Sequence, residues 1–161
     1  MVVVASRAQK GKRAPVALRH LEPQHVPVET ERPFEVTQSD GRTFAFLSAG
    51  GYHHHIGLNT WESRGGAAPA PGTTGLYHVA SVYPTRRGLA DALRRLVDAG
   101  WPLDGAADHG VSEALYLRDA EGNGVELYRD RDEAEWPRDA DGGLAMFSRA
   151  LDLPGLLAEA E

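Results

Sequence analysis

The chain has 161 residues, 42% of them hydrophobic, and a formal net charge of −6. That is one domain's length of core, with no apolar run long enough to cross a membrane and an acidic balance that argues against nucleic acid as the main partner. Cysteine is absent, which excludes disulfides and thiolate chemistry and leaves His, Asp, Glu and backbone oxygen as the only ligands a metal site could use.

Residues 1–33 show no clear period. The start, MVVVASRAQKGKRAP, places apolar residues before a basic cluster, the reverse of a secretion signal's order, so a cytoplasmic protein is expected. An amphipathic organelle presequence is the alternative for that arm. Arg7, Lys10, Lys12, Arg13 and Arg19 have no aromatic residue among them and read as a solvated, disordered arm rather than a nucleic-acid patch. Pro15, Pro23, Pro27 and Pro33 interrupt every candidate helix, and HVPV is at most a short edge strand.

Order is expected from Phe34. PFEVTQ and RTFAFLS alternate as two strands joined by a turn at Ser39-Asp40-Gly41, and YHHHIGLNTW reads as a third, giving an antiparallel meander. In such a strand His53 and His55 share one face and His54 the other. Trp61 is expected in the core, with a place beside Asn59 in a pocket wall as the alternative. The Gly- and Pro-rich stretch ESRGGAAPAPGTTG reads as a loop.

The second half is more regular. GLYHVASVY is a strand, and Thr85 is a plausible N-cap for a helix whose Leu89, Leu93, Leu96 and Val97 share a face and which ends at Gly100. WPLDGAAD is a weak strand. SEALYLRD and GVELYRD form a hairpin around the polar turn AEGN, and alternation puts Glu126 on one face with Gly124 and Tyr128. On the segment alone, Glu126 is either a metal ligand or a solvated outer-face carboxylate. The same ambiguity holds for His78, a ligand or a strand histidine with a backbone partner. Residues 137–161 read as a tail in which LPGLLAEAE adds a helical turn against a partner surface.

A strand, a helix and three strands after 75, preceded by three strands alone, suggest a module used twice whose first copy lacks a clear leading strand and helix. This arrangement resembles the vicinal oxygen chelate superfamily of glyoxalase I, bleomycin-resistance proteins and extradiol dioxygenases. It comes nearest to single-domain, catechol-2,3-dioxygenase-like members. The resemblance covers about 34–136, through FLSAGGYHHHIGLNTW, TGLYHVA, DHGVSEALYLRD and GNGVELYRDR. His109, Leu115-Tyr116, Asp119, Gly122 and Glu126 follow the extradiol ring-cleavage signature, with Ala120 in place of its Pro and Ala107 in place of its usual residue two before the His.

The resemblance implies an α+β fold of paired βαβββ modules forming a cupped mixed sheet, with an irregular arm over 1–33 before it and the tail over 137–161 after it. It implies a divalent metal, Fe(II) or Mn(II), held by His78 and Glu126, with open positions for an aromatic vicinal diol and dioxygen. His54, by its place in HHHIGL, takes the acid/base role; His109 and Tyr116 orient the substrate. The family's third ligand sits in a pattern like HVxLxVxD, for which this chain offers His25 in HVPVETER, with His20 behind it; a partner chain or no third ligand are the alternatives. Gly57 falls where glyoxalase I supplies a carboxylate, which disfavours a glyoxalase-type lyase. A metal-free binding module of bleomycin-resistance type is the rival from another class. An incomplete first module leaves sheet edges uncovered, so a homodimer is expected.

Overall fold

The computed structural model describes residues 2–6, 34–67, 70 and 72–161. In chain order its elements are β1 (Val2–Ser6), β2 (Glu35–Ser39), β3 (Phe44–Ser48), β4 (Ile56–Asn59), β5 (Leu76–Val82), α1 (Arg86–Asp98), β6 (Leu103–Asp108), β7 (Ser112–Arg118), β8 (Gly124–Asp130), a 3-10 turn (Glu133–Glu135), β9 (Arg149–Ala150) and α2 (Leu153–Leu157). Among the described residues they belong to two compact units, one holding β2, β3 and β4 and the other holding β1 with everything from β5 onward.

In the first unit β2, β3 and β4 form the expected antiparallel meander. Asp40 makes the first turn: its Oδ1 accepts the amides of Arg42 and Thr43 at 2.9 and 2.7 Å. The Thr43 hydroxyl, followed by these amides, holds the Asp40 carboxyl well below the usual carboxylate range. The third strand is shorter than the sequence suggests. Gly50 and Gly51 take left-handed φ of 75° and 82°, and the Ala49 amide closes the bend by donating to His55 Nδ1 at 3.3 Å. His53, His54 and His55 therefore lie in the turn before β4 and do not alternate across a strand. Trp61, expected in the core, is 65% exposed in the turn after β4.

The second unit is one six-stranded sheet in the order β1-β5-β8-β7-β6-β9. β5 and β8 run parallel, and every other pairing is antiparallel. A parallel pair needs a crossover, and α1, β6 and β7 supply it. Thr85 caps α1 as expected, its hydroxyl accepting the Gly88 amide at 3.0 Å, and Gly100 ends it at φ 63°. Leu89 and Leu93 are buried, but Val97 is exposed; Ala90 and Ala92 complete the buried face, where small side chains let the helix lie close to its neighbours.

The core gathers Leu89, Ala90, Leu93, Leu115, Leu151 and Leu156. Each fully buried leucine contributes about 2 kcal/mol over an exposed one. Two of these six come from the segment read as a tail. α2, capped by Asp152, packs on α1 of its own chain, and β9 adds a strand beside β6. The other departure is β1. The valine run read as part of an irregular arm pairs with β5, Ala5 opposite His78, its backbone covering an otherwise open strand edge. HVPV, His20 and His25 lie outside the described residues.

The pleat divides this sheet. Leu115 and Leu127 point to the helical core, so Tyr116 and Glu126, in register with each other and with Ala80, stand on the opposite face.

Candidate functional site

His78 on β5 lies opposite Gly124 on β8. A Cβ at position 124 would stand 2.9 Å from the Cβ of His78 and run into the Tyr77 carbonyl oxygen, so only glycine allows the two strands to pair with His78 in place. Next along that face comes Glu126. His78 Nε2 is 2.9 Å from Glu126 Oε2, and the two side chains keep only 19% and 17% of their exposure. The Tyr116 hydroxyl donates to Glu126 Oε1 at 3.0 Å. His109, at the end of β6, places Nε2 3.0 Å from the same hydroxyl and Nδ1 3.2 Å from the Phe147 carbonyl oxygen.

These contacts form one row: His78, Glu126, Tyr116, His109. Counting hydrogens constrains it. A carbonyl only accepts, so His109 Nδ1 carries a proton. Tyr116 has one hydroxyl proton for two neighbours. When it goes to Glu126, His109 Nε2 must supply a second proton to the phenol oxygen; when it goes to His109, the proton must sit on Glu126. The two arrangements have the same charge and the same heavy-atom positions. Tyr116 can therefore pass a proton between the carboxylate and the imidazole. Burial first, then the charge and hydrogen bond of Glu126, push the Tyr116 phenol well above its ordinary pKa, so it acts as a donor and not as a phenolate.

A metal fits part of this row. Two donors each about 2.1 Å from a divalent ion and at right angles around it stand about 3.0 Å apart, close to the spacing of His78 Nε2 and Glu126 Oε2. An imidazole and a carboxylate are donors that a divalent transition metal accepts. Among the described residues, no group of three His, Asp or Glu side chains converges. The pair accounts for two ligands, and the candidates for a third, His25 and His20, lie outside the described residues.

Four of the five sequence-predicted site residues, His78, Glu126, Tyr116 and His109, thus come together in the second unit. His54 belongs to the first, where its ring stacks on Phe46 with centroids 4.5 Å apart and its Nδ1 is 2.8 Å from His53 Nδ1. Gly57 lies across from Phe46 on β3.

Three features went unread in the sequence. Gly124 was visible only as a neighbour of Glu126; its role depends on the parallel register, which no local pattern reveals. Phe147 reaches His109 from beyond the second hairpin and leaves no motif. The third is Glu113, on the opposite face of β7 from Tyr116 and 4% exposed. It accepts Arg86 Nε and Arg129 Nε, each at 2.9 Å, and one Arg131 nitrogen at 3.0 Å. Burial works to raise this carboxyl, but the hydrogen bonds and charges of Arg129 and Arg86 outweigh it and hold the pKa below the ordinary value. Arg131 also grips Asp108, whose carboxyl is lowered first by that hydrogen bond, against a smaller effect of burial.

Residues 18–127 match the Glyoxalase/Bleomycin resistance protein/Dioxygenase superfamily. A catechol-2,3-dioxygenase of Bacillus subtilis (strain 168) is 49% identical over 92 residues, which is 57% of this chain and 32% of that protein. Biphenyl-2,3-diol 1,2-dioxygenase 3 of Rhodococcus globerulus is 39% identical over 87 residues, 53% of this chain and 45% of that protein. Of solved structures, the Mn(II)-bound glyoxalase from Novosphingobium aromaticivorans aligns with 62% of this chain and 30% of its own at 22% identity, with a TM-score of 0.35. The chain spans less than half the length of these two curated relatives.

Proposed function

The chain belongs to the glyoxalase/bleomycin resistance protein/dioxygenase superfamily, and from that membership we propose that it is a divalent-metal-dependent enzyme of extradiol type, opening the ring of an aromatic vicinal diol. The observation that supports this reading best is the His78–Glu126 pair, set at ligand spacing and backed by a phenol and a second imidazole. The names of the two dioxygenases similar to this chain support the substrate class.

His78 and Glu126 hold the ion, Fe(II) or Mn(II), with a third ligand from His25, His20 or a partner chain. When bound, the ion supplies Lewis-acid and redox chemistry toward the diol oxygens and dioxygen. The protein does the rest. Tyr116 keeps its proton and offers it as a hydrogen bond to a substrate oxygen. His109 accepts or returns a proton through Tyr116. His54 is assigned the acid/base role by its place in HHHIGL, and the chain works as a homodimer in the cytoplasm.

A second reading has one observation in its favour: among the described residues only two ligands converge. On that reading the chain is a metal-free module that sequesters an aromatic ligand. Gly57 has no side chain to ligate, which leaves a glyoxalase-type lyase in third place.

Anaerobic titration of the purified chain with Fe(II) and Mn(II), read as metal retained per chain, separates these. Close to one ion per chain, with ring-cleavage colour from a catechol screen, is the expected result. A chain that retains no ion but binds catechols sequesters them. Sedimentation at micromolar concentration reads the dimer directly, and a monomer there removes it from the proposal.

A further inference from the structure

The superfamily match ends at residue 127, yet a residue well beyond it holds one member of the row in place. Phe147 spends both of its backbone polar groups on His109: its amide donates to the His109 carbonyl oxygen at 3.3 Å, and its carbonyl oxygen accepts the His109 Nδ1 proton at 3.2 Å. Its ring is fixed as well. Gly110 has φ 78°, and a Cβ there would lie 2.7 Å from the Phe147 ring and 2.8 Å from Pro137, so the ring occupies space that exists only because residue 110 is glycine. On the ring's other contact, the Arg149 guanidinium lies 4.2 Å from its centroid, and Arg149 is itself tied to β6 by pairing with Asp108.

We infer that Phe147 is a positioning residue for His109: its carbonyl oxygen fixes the imidazole with Nδ1 protonated and Nε2 turned to the Tyr116 hydroxyl, so the segment after the second hairpin completes the site. A free neutral imidazole prefers its proton on Nε2. Which nitrogen holds the proton in a folded protein is decided by the partner of the other nitrogen, and here that partner is a carbonyl that cannot donate. Without it the ring is free to turn about χ2 and exchange the two nitrogens, and the Tyr116 hydroxyl loses a defined neighbour. The geometric claim stands on these contacts alone; its catalytic meaning rests on the proposed role of His109.

The test is 15N-detected long-range NMR of histidine-labelled, metal-free full chain, with the His109 signals assigned by their loss in His109→Gln. In the unsubstituted protein His109 Nδ1 is expected in the protonated range. Phe147→Ala removes the ring that seats the segment, and Nδ1 is expected to move toward the unprotonated range; Phe147→Leu, which still fills the space against Gly110, restores it. An unprotonated Nδ1 in the parent overturns the inference, as does a fully protonated Nδ1 in a folded Phe147→Ala. Tyr116→Phe guards against a variant that fails to fold: it leaves the Phe147 contact untouched, so Nδ1 stays protonated, and its loss there shows that Tyr116 sets the tautomer instead. In metal-loaded protein that opens catechols, Phe147→Ala is expected to lower kcat about tenfold at unchanged KM, and an unchanged kcat removes the positioning role. If no form turns over a catechol, the proposed function fails while the NMR result still decides the placement of His109.

Discussion

Glu113 and Glu126 stand on neighbouring strands of one sheet, both largely enclosed, with opposite surroundings. Glu113 faces the guanidinium groups of Arg86, Arg129 and Arg131, fixed cations of which Arg131 also pairs with Asp108 and Arg86 with Glu159. Glu126 faces an imidazole and a phenol, neither a permanent charge. Burial of a carboxylate is tolerable only with compensation. Glu113 has that compensation built in and is a structural tie, joining β7 to β8 and to the start of α1. Glu126 has been left short of a fixed cation, in a row whose separation suits a divalent one. What separates the carboxylate proposed to bind an ion from the structural one is the kind of partner, arginine at Glu113 and imidazole with phenol at Glu126, and not the degree of burial.

The comparison predicts opposite losses. Glu113→Ala removes the buried carboxylate shared by Arg86, Arg129 and Arg131, leaving Asp108 and Glu159 as partners of two of them, and is expected to cost about 3 kcal/mol, a fall in Tm of roughly 10 °C, with metal retention unchanged once the protein is folded. Thermal unfolding followed by circular dichroism reads it. Glu126→Ala is expected to do the reverse: a Tm within a few degrees of the parent, and metal affinity reduced by more than about a hundredfold, beyond the loss of an outer-shell partner. Should both variants lose stability equally, the distinction between the two glutamates fails.

Smaller effects sharpen it. Gly124→Ala forces a Cβ toward the Tyr77 carbonyl and the His78 side chain and is expected to cost about 2 kcal/mol. It should also weaken metal binding, because His78 must give way; equilibrium denaturation and metal titration of one sample separate the two. The pH dependence belongs to the structural side. Glu113 and Asp108 have lowered pKa values in the folded chain, so the unfolded chain, with carboxylates near about 4, takes up protons first as the pH falls. The stability they contribute is complete above that range and is lost as the pH drops through their folded values. Tm should hold level near neutrality and decline below about pH 4, less steeply in Glu113→Gln. The least of these effects is Thr85→Ala, which removes the N-cap of α1 for about 1 kcal/mol and leaves both glutamates as they are.

The sequence reveals what is periodic or local. The hairpin of β7 and β8, the capped helix and the face shared by Gly124, Glu126 and Tyr128 follow from alternation and turn residues, and the four candidate residues that the fold brings together follow from resemblance to a family. What it hides is set by distant pairing or by small residues. The three histidines read as strand because HHHI is compatible with one; the left-handed Gly50 and Gly51 and the hydrogen bond that the Ala49 amide donates to His55 Nδ1 overrule it. Val2–Ser6 becomes a strand only because β5 has an edge to offer. Leu151 and Leu156, in a stretch too short to show a helical stripe, are core because α1 lies beside them. Phe147 and the arginines around Glu113 have no sequence mark, since each contact joins segments whose proximity is decided by the finished sheet.

The parallel pairing of β5 with β8 bears on when the site can exist during synthesis and folding. His78 and Glu126 lie on either side of the whole crossover of α1, β6 and β7 and meet only when that excursion has been closed. Pairing across such a separation comes late, after the local helix and hairpin, because its chain-closure entropy must be met before any contact rewards it. A nascent chain that has emerged through β5 thus holds His78 with no Glu126 beside it, and on the ligand role proposed for the pair ion capture waits for this closure. In stopped-flow refolding with Fe(II) or Mn(II), that role predicts a bound-ion signal that trails the gain of helix.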